Sequence, residues 1–250
     1  MPLNRVEFMN TFIDNVTAEE GINYIDNAIK NKEIIQVIFP NVDQIVKIEK
    51  DDKFSKVTRE SDLILVDGHP LMWIASRYGK PFKEKIPGSS FVFRLCELSV
   101  ENNYSIFLLG AADGVADIAA DKLKNIYKNI SISGTYSPPL GFENDEEEIK
   151  KINNLLKRSN SDILLVGMGV PKQEYFIAEN KEQYQIPVSL SVGATIDFIA
   201  GVQKKAPQWM SNIGMEWFYR LISDPKRMFK RYIIDDTKIF SLYRKYKVKR

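Results

Sequence analysis

The stretch Asp162–Asn180, DILLVGMGVPKQEYFIAEN, decides the class of fold. Its apolar run from Asp162 to Val166 does not alternate, which marks a strand covered on both faces, as in a parallel sheet. Gly167-Met168-Gly169-Val170-Pro171 then breaks the run, and a helix is predicted from Lys172 to Asn180. The same unit recurs outward in both directions. Ile34–Phe39 (IIQVIF), Asp62–Val66 (DLILV), Tyr104–Leu109 (YSIFLL) and Ile186–Val192 read as buried strands, and Ile130–Ser133 as a weaker one.

Helical patterns lie between these strands. Thr17 and Glu20 form a capping box before an amphipathic helix ending near Asn31, and Asn41 is placed to cap a helix over 42–50. Further helices are predicted through Trp73–Tyr78, Phe91–Val100, Val115–Tyr127 and Glu143–Arg158. Strands alternating with helices predict an α/β fold, a mostly parallel, doubly wound sheet with helices on both faces. Alternation stops near Gly201–Pro207, which divides the chain into an α/β domain over 1–200 and a helical appendage over 201–250.

Composition narrows the function. The 250 residues include one cysteine, Cys96, and one histidine, His69, which excludes an intrachain disulfide and a zinc site built from Cys and His. No apolar run reaches the length of a membrane span or signal peptide, so a cytoplasmic protein is expected. The net charge of +2 is unevenly placed. Asp224–Arg250 holds ten Lys/Arg against three Asp, leaving the rest acidic. Basic charge beside Trp209, Trp217, Phe218 and Tyr219 suits an anionic surface, while a solvated end or a helix packed through its aromatics explains the same residues.

Ligands of open parallel sheets bind beyond the carboxyl ends of the strands. The residues there are Asn41, Asp67, His69, Gly110, Gly167, Gly169, Lys172, Gln173, Glu174 and Asp197. Each loop also has a plain structural reading: Asp67-Gly68 as a turn, the glycines as strand–helix joints. The spacing Gly110-x-x-x-Gly114 falls short of a dinucleotide fingerprint, which disfavours a NAD-dependent oxidoreductase. There is no P-loop and no G-x-S-x-G elbow. Nucleic acid is disfavoured as a partner, because the basic charge is confined to the tail and no reading motif accompanies it.

Three ordered motifs are more specific: VDGHPLMWIASRYG (66–79), VGMGVPKQE (166–174) and SVGATIDFIAGVQKKAPQWMSNIGMEWFYRLISDPKRMFKR (191–231). Together they resemble the WecG/TagA/CpsF family of bacterial glycosyltransferases, over about Val6–Tyr232. The resemblance implies a Rossmann-like domain with a helical appendage. It implies an inverting transfer, with no metal or other cofactor, in teichoic acid or surface polysaccharide synthesis. The sugar, of N-acetylmannosamine, uronic acid or glucose type, would pass from a UDP-sugar to a polyprenyl (undecaprenyl)-diphosphate-linked sugar at the inner face of the cytoplasmic membrane. A homo-oligomer is compatible with this reading.

In that frame Asp67 matches the family's Asp-Gly and is assigned the general base, with His69 as a substrate contact or alternative base. Gln173 and Glu174 would lie near the sugars, and Arg220 and Arg227 would meet diphosphate. The chain departs from the family at Phe39, where many members have Thr, and at Ser90, where many have Asp. Lys205 stands where Arg is common. The alternative is a non-catalytic UDP-sugar-binding or scaffold protein of polysaccharide assembly.

Overall fold

The computed structural model describes residues 3–207, 209–210 and 214–248, the side chains of Arg227 and Val248 excepted. Six strands form one parallel sheet: β3 (Ile35–Ile38), β4 (Leu63–Ile64), β5 (Ser105–Gly110), β6 (Ser131–Tyr136), β7 (Ile163–Gly167) and β8 (Val188–Ser191). Their spatial order is β4-β3-β8-β7-β5-β6. Leu63, Val37, Leu190, Leu165 and Leu108 fall in one row across five strands, and none is exposed. The unbroken apolar runs are therefore covered on both faces, as expected.

One face packs against α1 (Ala18–Asn31), α5 (Gly88–Asn102), α6 (Val115–Ile126) and α9 (Thr195–Ala200). The other carries α2 (Val42–Ile48), α3 (Asp52–Glu60), α4 (His69–Arg77), α7 (Glu146–Ser159) and α8 (Lys172–Tyr184). The capping signals act as read. Thr17 and Glu20 exchange both bonds of the box, and Asn41 Oδ1 accepts the Gln44 N–H at 3.2 Å.

Several short elements escape the periodicity reading. Strands β1 (Arg5–Phe8) and β2 (Thr11–Asp14) form an antiparallel hairpin. Each has four residues, RVEF and TFID, without the unbroken apolar run that marks the sheet strands. Buried Asp14 anchors it, taking two bonds from Arg5 at 2.9 Å and the Ile64 N–H at 2.8 Å. Helices α3 and α9 also escape it; Asp51 caps α3 by accepting the Phe54 N–H at 3.0 Å.

Beyond Gly201 the chain forms α10 (Glu216–Ser223) and then a continuous helical path, α11 (Pro225–Phe229), a π-helical turn (Lys230–Asp235), a 3-10 turn (Asp236–Lys238) and α12 (Ile239–Val248). Helix α12 returns to the body. Ile239 and Leu242 are buried in the cluster built by the hairpin, α2 and α4, and the Tyr78 hydroxyl donates to the Tyr243 carbonyl at 2.9 Å.

Candidate active site

Strands β3 and β8 are neighbours, but β3 leads into α2 on one face and β8 into α9 on the other. Connections that part in this way leave a crevice above the carboxyl ends. A cavity of about 900 Å³ occupies it, roofed by α10 and the π-helical turn. Asn41, Asp67, Gly169, Gln173 and Arg220 all line this one cavity, although the sequence spreads them over 180 positions.

Asp67 follows β4, its backbone held where its N–H donates to the Pro40 carbonyl at 2.9 Å. Gly68 then takes φ +125°, a conformation open to glycine, which turns the chain into α4 at His69-Pro70. Burial pushes the Asp67 carboxyl up to about 6, aided by the nearby Glu216 carboxylate and opposed by Arg220, Lys85 and Arg231. A carboxyl at that value is ionised at neutral pH yet is a stronger base than an exposed aspartate.

Gln173 is buried in the first turn of α8. Its Oε1 accepts the Gly193 N–H at 3.0 Å and its Nε2 donates to Glu174 Oε1 at 2.8 Å. Arg220 comes from α10. Its Nη2 donates to Glu216 Oε1 at 2.9 Å and its guanidinium lies 5.3 Å from the centre of the Phe198 ring. That stacking orients the planar cation into the cavity wall.

Other candidates lie elsewhere. Glu174 is completely buried beneath the floor. Gly110 and Gly167 pair across β5 and β7, and a Cβ on Gly110 would sit 2.5 Å from the Gly167 carbonyl oxygen. Strand packing alone therefore accounts for glycine there. Lys172 is exposed and ion-paired with Glu143. Exposed His69 has its Nε2 3.0 Å from Lys85 Nζ, outside the cavity lining. Asp197 sits in the first turn of α9, and its backbone carbonyl accepts the Val202 N–H at 3.0 Å. The Arg227 side chain lies outside the described residues.

Several lining residues were not singled out from the sequence: Gln44, Ser191, Glu216 and Arg231. Ser191 had a signal, a hydroxyl at the carboxyl end of β8. Gln44 had another, standing three residues past a capping Asn. Glu216 and Arg231 had none, because only the return of the tail over the cleft brings them in. The two family departures also have positions. The Phe39 ring lines the cavity and packs on Phe91, centres 5.5 Å apart, while Ser90 accepts from Lys205 Nζ at 3.3 Å. Among the described residues, no group of three or more His, Cys, Asp or Glu is placed to hold a metal ion.

The chain is similar to known proteins over most of its length. A relative from Staphylococcus aureus, named N-acetylglucosaminyldiphosphoundecaprenol N-acetyl-beta-D-mannosaminyltransferase, is 26% identical over 226 residues, covering 90% of this chain and 87% of its own. A protein of the same name from Bacillus spizizenii is 25% identical, covering 90% of this chain and 84% of its own. The model of the glycosyl transferase WecG/TagA/CpsF family matches residues 6–250. An α/β sheet with its cleft at the strand crevice, and a family match over almost the full length, make this chain a glycosyltransferase of the WecG/TagA/CpsF family.

Proposed function

We propose that the protein moves a sugar of N-acetylmannosamine type from its UDP conjugate onto an undecaprenyl-diphosphate-linked N-acetylglucosamine, with inversion at the anomeric carbon. The observation that carries the mechanism is a half-buried carboxyl of raised pKa, Asp67, sharing one cavity with the arginine Arg220. Asp67 takes the proton of the acceptor hydroxyl as that oxygen bonds to the anomeric carbon. The bond from that carbon to the UDP oxygen breaks on the opposite side, and its electron pair leaves with UDP. Arg220 stabilises the charge gathering on the diphosphate, since its planar fork pairs with phosphate oxygens. Gln173 contacts the sugars. Asn41, committed to capping α2, and Gly169, with φ +81°, shape the wall that the donor meets.

The acceptor is a lipid, and the tail supports a role at the bilayer surface. Trp209, Trp217, Phe218, Ile222 and Phe229 are all exposed near the cavity roof, and Lys226 and Lys230 are exposed beside them. Aromatic side chains flanked by lysines favour the headgroup layer. Among the described residues no helix is long and apolar enough to cross a membrane.

The test is a transfer assay with radiolabelled UDP-sugar and undecaprenyl-diphosphate-N-acetylglucosamine in phospholipid vesicles. Label is expected in the lipid fraction. UDP-sugar binding without transfer would instead support the non-catalytic alternative.

A further inference from the structure

The buried carboxylate of Glu174 has no place in the mechanism above, although it neighbours Gln173 in the chain. In the first turn of α8 the two side chains part: Gln173 reaches the cavity, and Glu174 turns under its floor with 0% exposure. There Glu174 Oε1 accepts from two amides that both line the cavity, Gln173 Nε2 at 2.8 Å and Gln44 Nε2 at 3.4 Å. Gln36 on β3 donates to the Glu174 backbone carbonyl at 3.1 Å. Through Gln173 the network also grips the Gly193 N–H after β8.

Stability does not explain a carboxylate at this position. Its other oxygen, Oε2, is buried outside normal hydrogen-bond geometry. Burial pushes the group up to about 7, with the Gln173 amide, the Glu174 backbone N–H, the Lys47 ammonium and the Ser191 hydroxyl acting against that rise. Lys47 itself is paired with Asp43 at 2.9 Å. An apolar residue of similar volume would avoid this desolvation. In its ionised form the carboxylate supplies an acceptor at every hydrogen-bonding position. Facing it, an amide must present its NH₂ group. Gly193 offers only a donor, so Gln173 is held from both ends: its oxygen on Gly193, its nitrogen on Glu174. Glutamine in place of Glu174 has one accepting atom, which can serve both amides, but it can also turn its NH₂ group toward them, an alternative the carboxylate lacks.

We propose that Glu174 is a positioning residue, acting through Gln173 and Gln44 to fix which amide atoms the floor offers the sugar donor. The inference rests on reading the cavity as the donor site. The experiment therefore has two readouts, one of which needs no turnover.

The first is a kinetic cycle. Glu174→Gln is expected to lower kcat/KM for the UDP-sugar roughly 10- to 100-fold, the scale of a small misplacement of reacting groups. Its Tm should be no lower than that of the wild type. In a Gln44→Ala/Gln173→Ala background the same change should cost less than about 3-fold, because residues acting as one unit are not additive. A full multiplicative loss in that background would overturn the inference. The second readout is the side-chain amide NMR signals of Gln44 and Gln173 in ¹⁵N-labelled protein. Both should shift in Glu174→Gln, and also in Glu174→Asp, which withdraws the charge by one methylene and serves if the first variant does not fold. Unmoved signals would overturn the positioning role whether or not transfer is detected. An inactive wild type with shifted signals would overturn only the transferase reading.

Discussion

Arg220 Nη2 donates to Glu216 Oε1 at 2.9 Å, and this ion pair lines the same cavity as Asp67, about 150 residues earlier in the chain. Its two members act on Asp67 in opposite senses. The Glu216 carboxylate raises the Asp67 pKa and the Arg220 guanidinium lowers it. The ion pair therefore tunes the Asp67 carboxyl as well as roofing the cavity.

Opposite pH shifts should follow. A base must be ionised to act, so kcat/KM should rise with pH through a limb near pH 6, where Asp67 titrates. Arg220→Gln should move that limb to higher pH and, if Arg220 holds the departing diphosphate as proposed, lower kcat about 100-fold or more. Glu216→Gln should move it to lower pH. Limbs that shift in the same direction in both variants would contradict this arrangement.

Asp67→Asn should separate activity from stability. Transfer should fall at least about 100-fold, with UDP affinity by calorimetry close to the wild type. The folded protein raises the Asp67 pKa from 3.8 to about 6, so the native state resists ionising this group more than the unfolded chain does. The stability tied to its protonated form is complete below pH 4 and is lost as pH rises through 6. Asparagine avoids the loss. Urea titrations should find the variant more stable at pH 8, by up to about 3 kcal/mol, and unchanged near pH 4.

Gly110→Ala probes whether that glycine serves the ligand or the sheet. Its φ of +111° and the 2.5 Å approach of an added Cβ to the Gly167 carbonyl predict destabilisation of about 3 kcal/mol or more. Any folded fraction should keep its KM for the UDP-sugar. An unchanged urea midpoint with a raised KM would make Gly110 a donor contact.

The tail has two kinds of apolar residue, and they should respond differently. Leu242 is buried against the hairpin, α2 and α4, so Leu242→Ala should cost about 2–4 kcal/mol. Trp217, 45% exposed, should cost little when changed to Ser, while flotation with anionic phospholipid vesicles weakens several-fold. Equal flotation of Trp217→Ser and wild type would count against a bilayer role for this face.

By itself the sequence determined what depends on near neighbours. Apolar runs, the Thr17–Glu20 box and the Asn41 cap act over one to four residues, so the strands, most of the helices and the class of sheet were legible. The position of Asp67 at a strand end was legible for the same reason. The strands of the hairpin were not, because RVEF and TFID mix polar and apolar residues over too short a span to show either a buried run or a period. Only the tertiary structure decided what depends on the order of strands and the path of the tail. Placing β8 beside β3 opens the crevice and brings Gly193 to Gln173. Folding the tail back over it adds Glu216, Arg220 and Arg231. Adjacent Gln173 and Glu174 looked alike as site residues, yet the helix sends one into the cavity and buries the other beneath it. The elevated pKa of Asp67 belongs to the same class of fact: burial and distant charges set it, and neither is a property of the local chain.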